Sequence, residues 1–217
     1  IGRITTFTNP GKLIEDEMRR GAKTAVIVGN DDTFARVIAR SADYKVVFGF
    51  LPVGSPQTIA DLLGIPTTLA SCDIVSRRKI EQIDVGVVND RFFFRSIRLT
   101  GMGFRVTCDD TYSISPEGAD AEIAICNLEV PEWIDADTRQ YLKPQDGKLS
   151  VFVRPSKKAL FGKKFIKPTM LQVKKAVIKA DHPIVVTIDG IVSKEHYIEA
   201  KVSNTKFSII VGKDRKF

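Results

Sequence analysis

The stretch Thr24-Ala-Val-Ile-Val-Gly-Asn-Asp-Asp-Thr-Phe34 is an apolar run that leads into one glycine and then into polar residues. The apolar run is typical of a buried strand, and Phe34, Val37 and Ile38 are spaced as on one face of a helix that would start near Thr33. A strand, a polar turn and a helix in this order place unpaired helix N–H groups over the turn, where they can bind a phosphate. The stretch predicts such a loop at Gly29. An ordinary capped turn is the alternative, since Gly, Asn and Asp favour turns and caps anyway.

The elements around this stretch continue the same alternation. We predict a helix over 12–20 before the strand 24–28, then a helix over 33–42 and a strand over 44–51. A third helix follows, with Ser55 as its N-cap and Pro56 as its first residue. This β-α-β-α order favours a parallel sheet.

Beyond residue 75 the pattern changes to short β-prone segments separated by turn residues. We predict strands near 80–88, 91–99, 103–108, 121–126, 149–154, 170–179, 184–188, 196–202 and 207–211. The predicted fold class is therefore α/β plus β. A small three-layer α/β domain covers 1–70, and a larger antiparallel β-sandwich domain covers 71–217.

The composition is that of a globular protein, with 43% apolar and 27% charged residues in 217. No apolar run approaches the roughly 20 residues that span a bilayer, and the first residues do not resemble a signal peptide. We therefore expect a cytoplasmic protein. Three widely separated cysteines and two histidines do not have the spacing of a zinc site or a disulfide framework.

The net charge of +7 is concentrated in one segment. Residues 147–180 contain ten lysines and arginines and no acidic residue. Such a segment attracts anionic lipid head groups, phosphates or nucleic acid, although a solvated basic face is the plainer interpretation. Regularly spaced exposed aromatic residues, which single-strand binders use for base stacking, are absent from the pattern, so we expect no nucleic-acid partner.

Two stretches that each follow a predicted strand are Gly29-Asn30-Asp31-Asp32-Thr33 and Pro52-Val53-Gly54-Ser55-Pro56-Gln57-Thr58, the second with Leu63-Gly64-Ile65 in register after it. They resemble two loops of the diacylglycerol kinase catalytic family, which includes sphingosine kinases and bacterial lipid kinases. The family has Gly-Gly-Asp-Gly-Thr in the first loop and Pro-x-Gly-Thr-x-Asn-Asp in the second.

Three further matches follow in the family's order. Asp84-Val85-Gly86-Val87-Val88-Asn89, followed by Phe92 to Phe94, resembles the strand pair that opens the family's β domain. Gln145-Asp146-Gly147-Lys148-Leu149 resembles its acidic turn, and Thr187-Ile188-Asp189-Gly190 resembles its Asp-Gly-Glu loop. Together the five matches span about 180 residues. The resemblance implies that 1–70 is a nucleotide domain, expected to be incomplete.

The resemblance implies an ATP-dependent lipid kinase that transfers the γ-phosphate to a hydroxyl of a diacylglycerol or sphingoid lipid. It implies Asp189 as the base that accepts the hydroxyl proton, and Asp146 as a ligand of Mg²⁺. The residues expected to contact ATP are Gly29, Asn30, Asp31, Asp32, Thr33, Gly54, Ser55 and Gln57. The implied partner is a lipid substrate at an anionic membrane surface, reached by peripheral association; a homodimer is left open.

Departures from the family pattern motivate two alternatives. Asn30 and Asp32 replace glycines, and Ile191 replaces the glutamate of the last loop, which favours a catalytically inactive relative acting as a binding module. A basic β domain that binds anionic membrane or nucleic acid is the other alternative. From spacing alone, Asp189-Gly190 and Asp146-Gly147 also suit simple hairpin turns.

Overall fold

The computed structural model describes residues 9–116, 120–139, 143–158 and 163–217. The chain forms two compact units. The first unit comprises the chain up to Val85 together with Asn204–Phe217, and the second comprises Gly86–Ser203. No helix in the described ranges is long and apolar enough to cross a membrane.

The first unit begins with α1 (Pro10–Arg19), β1 (Thr24–Gly29), α2 (Asp31–Ser41), β2 (Val47–Pro52), α3 (Thr58–Leu62), α4 (Ala70–Arg77) and β3 (Ile80–Ile83). The second unit contains β4 (Gly86–Val88), β5 (Arg91–Phe93), β6 (Ser96–Gly101), β7 (Phe104–Cys108), β8 (Tyr112–Ile114), β9 (Ala121–Cys126), α5 (Ala136–Arg139), β10 (Leu149–Lys158), β11 (Lys163–Phe165), β12 (Thr169–Val173), β13 (Lys175–Ile188) and β14 (Ile191–Val202). The chain then returns to the first unit as β15 (Phe207–Ile210).

The small sheet has the strand order β1-β2-β15-β3, in which β2 is parallel to both neighbours and β3 is antiparallel to β15. Successive residues of β2 face opposite sides of the sheet. The Phe50 ring lies 5.1 Å from that of Phe34 in α2, whereas Gly49 faces Val75 of α4 on the other side. Helices therefore cover both faces of the sheet, giving three layers.

The large sheet is antiparallel and is organised around the long pair β13 and β14. One part of β13 pairs with β7 and another with β6, on either side of an irregularity between Lys179 and Ile184. The larger apolar core, which includes Phe93, Ile97 and Ile178, receives side chains from nine of its strands. A smaller buried cluster contains Ala124, Cys126, Ile134 and Phe152.

These features confirm the predicted fold class, a small α/β part with a parallel sheet plus a larger antiparallel β part. The limits of the two parts differ from the predicted 1–70 and 71–217, because the first unit extends to Val85 and also takes the last segment of the chain. The predicted strand 80–88 is two strands in different sheets, β3 and β4. Between them the buried carboxylate of Asp84 pairs with Lys206 at 2.6 Å, which joins the two points where the chain leaves and re-enters the first unit.

Candidate functional site

The two loops singled out in the sequence follow adjacent parallel strands, so both lie at the same edge of the small sheet. Main-chain hydrogen bonds join them directly. The N–H of Val53 donates to the carbonyl of Gly29 at 2.8 Å, and the N–H of Asp31 donates to the carbonyl of Pro56 at 3.0 Å. The first loop and the second loop are therefore one structural unit.

Asp31 strengthens this connection with its side chain. Its fully buried carboxylate accepts the N–H groups of Thr58 at 2.8 Å and Ile59 at 3.1 Å, at the start of α3. The prediction that Ser55 and Pro56 begin this helix is wrong. The helix starts at Thr58, and its cap comes from a carboxylate 27 residues earlier in the chain.

Asn30 lies between the two loops. Its Oδ1 accepts the N–H and the hydroxyl of Thr33, both at 3.1 Å, which caps α2. Its Nδ2 donates to the carbonyl of Ser55 at 2.7 Å. The side chain that stands in place of a family glycine therefore bridges the loops, and α2 begins at Asp31 rather than near Thr33.

The remaining predicted nucleotide residues have distinct surroundings. A Cβ at Gly29 would lie 2.7 Å from the hydroxyl of Thr33, so the loop requires glycine there. Gly54 is exposed and has a φ of +82°, which glycine adopts without strain. Asp32 is exposed in the first turn of α2, where its negative charge opposes the approach of a phosphate to the helix N-terminus. Gln57 precedes α3 and makes no side-chain cap.

Asp189 lies in the second unit, in the two-residue turn between β13 and β14. Asp189 and Gly190 have φ values of +49° and +90°, as a type I′ hairpin turn requires. The carboxylate is 5% exposed and accepts three main-chain N–H groups, from Phe94 at 2.7 Å, Arg95 at 2.8 Å and Ser96 at 3.2 Å. It therefore ties the hairpin turn to the junction of β5 and β6.

Burial raises the pKa of Asp189 to about 6, although the N–H groups of Phe94, Arg95 and Ser96 act in the opposite direction. A carboxylate with this pKa can exchange a proton near neutral pH, as a general base must. Because both oxygens already accept main-chain hydrogen bonds, the same carboxylate is also a structural anchor.

Two arginines beside this anchor were not predicted from the sequence. Arg95 and Arg98 share the carboxylate of Glu129, at 2.5 Å and 3.1 Å, and the side chains of Arg95 and Glu129 are largely buried. The partners lie more than 30 residues apart, so no local sequence pattern could indicate the cluster.

The proposed magnesium ligand Asp146 lies in a turn in which its Oδ1 accepts the N–H of Lys148 at 2.9 Å. Within the described ranges, no group of three His, Cys, Asp or Glu side chains could hold a metal ion. Mg²⁺ in phosphoryl-transfer sites is usually held by one or two carboxylates together with substrate phosphates, and Asp146 offers one such carboxylate. Asp146 and Asp189 belong to the second unit, whereas the eight predicted ATP contacts all lie in the first.

Comparison with protein families finds no family model that matches the chain. Two curated relatives are described as probable YegS-like lipid kinases, from Enterobacter sp. (strain 638) and Klebsiella pneumoniae (strain 342). They are 28% and 30% identical to this chain over 103 residues, which are 45% of this chain. The match spans only 34% of the length of each relative.

A solved structure extends the likeness to nearly the whole chain. The crystal structure of a diacylglycerol kinase from Bacillus anthracis str. Sterne matches 98% of this chain and 84% of its own, with a TM-score of 0.76 and 16% identity. At that identity the match shows a common fold. With the curated relatives, it confirms the resemblance that the five motifs predict.

Proposed function

We propose, from this resemblance to the diacylglycerol kinase catalytic family, that the protein is a lipid-kinase-like phosphotransferase. It would use ATP to phosphorylate a hydroxyl of a diacylglycerol or sphingoid lipid. The observation that carries the proposal is the joining of two loops, Gly29–Thr33 and Pro52–Thr58, at the carboxyl ends of adjacent parallel strands. Ligands of open α/β sheets bind at this edge, outside the carboxyl ends of the strands.

In this proposal Asp31 positions the loops instead of touching the phosphates. Its carboxylate is committed to Thr58 and Ile59, so it fixes the second loop relative to the first. The hydroxyl and the N–H of Thr33 already donate to Asn30, and the N–H groups of Asp31 and Val53 donate to main-chain carbonyls. We assign the contact with ATP to the other main-chain N–H groups of the loops and to the hydroxyl of Ser55. Loops held in place before the reaction lower the cost of ordering the phosphates for transfer.

In the second unit Asp189 also positions a loop, as Asp31 does in the first. Its three main-chain hydrogen bonds make it a positioning residue for the hairpin turn. A magnesium ion, when bound, would neutralise charge on the transferred phosphate, and Asp146 is the acidic residue proposed beside it.

Calorimetric titration with ATP tests the placement of the nucleotide. Gly54→Asp puts a negative charge at the exposed turn of the second loop, and ATP binding should fall at least about tenfold because like charges repel across a few ångströms. Gly21→Asp is the matched control. Gly21 lies in the same unit, also has a positive φ (+96°), and has no atom within 4 Å of an added Cβ. Equal ATP affinity in both variants would place the nucleotide elsewhere.

A second candidate function is a catalytically inactive relative that binds lipid or a protein partner. The bridge from Asn30 to Ser55 favours it, since it fills the space between the loops. Ile191, 54% exposed, occupies the position of the family's glutamate and can neither bind a metal nor move a proton. This candidate predicts lipid binding without ATP turnover. Cytoplasmic localisation, peripheral membrane association and a homodimer remain predictions.

A further inference from the structure

One surface of the second unit combines exposed apolar side chains with exposed lysines. Phe165 at the end of β11 and Ile166 after it are 40% and 41% exposed. Lys164 and Lys167 flank them and are also exposed. These four residues, together with the half-buried Trp133 described next, are called the β11 surface.

Aromatic and basic groups hold this surface in place. The guanidinium of Arg154 lies 4.4 Å from the ring centroid of Trp133 and 4.1 Å from that of Phe165, so it stacks on both. Arg154 also donates to the carboxylate of Glu122 at 3.0 Å. The rings of Trp133 and the buried Phe152 are nearly perpendicular, with centroids 6.2 Å apart. Trp133 and Phe165 are therefore both packed against Arg154, and Trp133 is also packed against the apolar interior.

The register of the strands concentrates positive charge beside them. In the antiparallel pair of β10 and β11, Lys157 is opposite Lys164, and Lys158 is opposite Lys163. Residues 147–180 contain no Asp or Glu, so this part of the chain carries a net positive charge that an anionic surface attracts.

We propose that the β11 surface docks the protein on an anionic lipid bilayer. Phe165, Ile166 and the exposed part of Trp133 would enter the head-group region, where aromatic and aliphatic side chains are favoured. The lysines would reach the lipid phosphates while their alkyl stems cover apolar surface. This inference rests on the proposed function, because a kinase of lipids meets its substrate at a membrane. It assigns the contact with the membrane to the residues of the β11 surface.

A bilayer fits this surface better than a nucleic acid does. Sequence-tolerant binding of single strands uses a series of exposed aromatic faces for base stacking. Here the rings of Phe165 and the half-buried Trp133 both lie against Arg154, and the exposed neighbour Ile166 is aliphatic. Aliphatic exposure between lysines is suited to acyl chains and head groups.

The experiment measures binding of the full chain to liposomes of phosphatidylglycerol and phosphatidylcholine, and to phosphatidylcholine alone, at increasing salt. Trp133 is the only tryptophan of the chain, so its emission reports directly on the β11 surface. We expect binding to the anionic liposomes only, a loss of binding with salt, and a blue shift of the Trp133 emission.

Two charge-reversal variants test the location. Lys164→Glu with Lys167→Glu should weaken liposome binding at least about tenfold, because each lysine near an anionic surface contributes measurably to affinity. Lys179→Glu with Lys194→Glu is the control, with the same charge change at exposed lysines on β13 and β14. The control should bind as the unmodified chain does. Ile166→Asn should weaken binding without changing the net charge.

Equal loss of binding in both double variants would overturn the proposal, as would tighter binding of the unmodified chain to an oligonucleotide than to anionic liposomes. Phosphorylation of lipid in neutral detergent micelles, where no anionic surface exists, separates the two proposals. If Lys164→Glu/Lys167→Glu phosphorylates lipid in micelles as the unmodified chain does but no longer binds liposomes, docking at this surface is supported. If the unmodified chain binds anionic liposomes but phosphorylates no lipid in micelles, only the kinase proposal is contradicted.

Discussion

The side-chain amide of Asn30 donates a hydrogen bond to the main-chain carbonyl of Ser55 over 2.7 Å. Each residue lies in one of the two loops that the family resemblance assigns to ATP, and the family has glycine at the position of Asn30. A phosphate that enters between the loops must replace this bond with one of its own. In the proposed kinase, the bond between Asn30 and Ser55 would therefore oppose nucleotide binding in the first unit, in addition to the negative charge of Asp32.

Replacing Asn30 by glycine should increase ATP affinity about fivefold, because breaking the bridge costs about 1 kcal/mol during binding of the nucleotide. The cap of α2 should lose only a few tenths of a kcal/mol, since glycine is an acceptable N-cap. Calorimetric titration measures the affinity. Asn89→Gly is the control, because it removes contacts with Tyr197 and Glu199 in the second unit. Unchanged ATP affinity in Asn30→Gly would show that the bridge is no obstacle.

Asp31→Ala should lower the free energy of unfolding by about 2–4 kcal/mol, because it leaves the N–H groups of Thr58 and Ile59 without their acceptor. Urea denaturation followed by circular dichroism measures this. The neighbouring Asp32→Ala should cost less than about 1 kcal/mol, since Asp32 is exposed and contributes only to the helix dipole. A loss at Asp31 no larger than that at Asp32 would contradict the positioning role.

Asp189 should make stability depend on pH. Its folded-state pKa of about 6 lies above the value of an unfolded aspartate, so the folded protein binds the proton more tightly. This contribution to stability is complete below about pH 4 and disappears as the pH rises through 6. Between pH 4 and 7 the unmodified chain should lose about 2 kcal/mol that Asp189→Asn does not lose. Parallel stability curves for the two proteins would refute the raised pKa.

Phe207→Ala should destabilise the first unit by about 3–5 kcal/mol, as for other buried aromatic side chains. Phe207 is 1% exposed and stacks on Phe48 with ring centroids 4.6 Å apart, although the two are far apart in sequence. Thermal unfolding measures the effect. Phe217→Ala, at a half-exposed terminal ring in the same unit, should cost less than about 1 kcal/mol. A similar melting temperature for both variants would mean that β15 does not stabilise the first unit.

Local patterns predicted most of the fold. The strand and helix at Thr24–Ser41 follow from an apolar run, a polar turn and helical spacing, all of which lie within one short stretch. The pattern of residues 80–88 could not show that two sheets divide them at Asp84, because alternation continues across the break. Nor could it place β15 in the first unit, since that depends on Phe48 and Phe207 meeting from distant parts of the chain.

The sequence indicated the residues of the candidate site but not the contacts between them. Glycine, Asn and Asp after a strand indicated a loop, and the family resemblance indicated which loop. That Asp31 caps α3, that Asn30 reaches Ser55, and that Asp189 holds the start of β6 are long-range relationships. They depend on which strands are neighbours, which the residues of one loop do not specify.

Transfer of phosphate from γ-labelled ATP to diacylglycerol or a sphingoid lipid, in neutral micelles with Mg²⁺, measures the proposed kinase reaction itself. We expect labelled lipid from the unmodified chain and from Gly21→Asp, and at least about tenfold less from Gly54→Asp. If the unmodified chain labels neither lipid class, the kinase proposal is contradicted. The protein would then be a catalytically inactive relative that binds lipid.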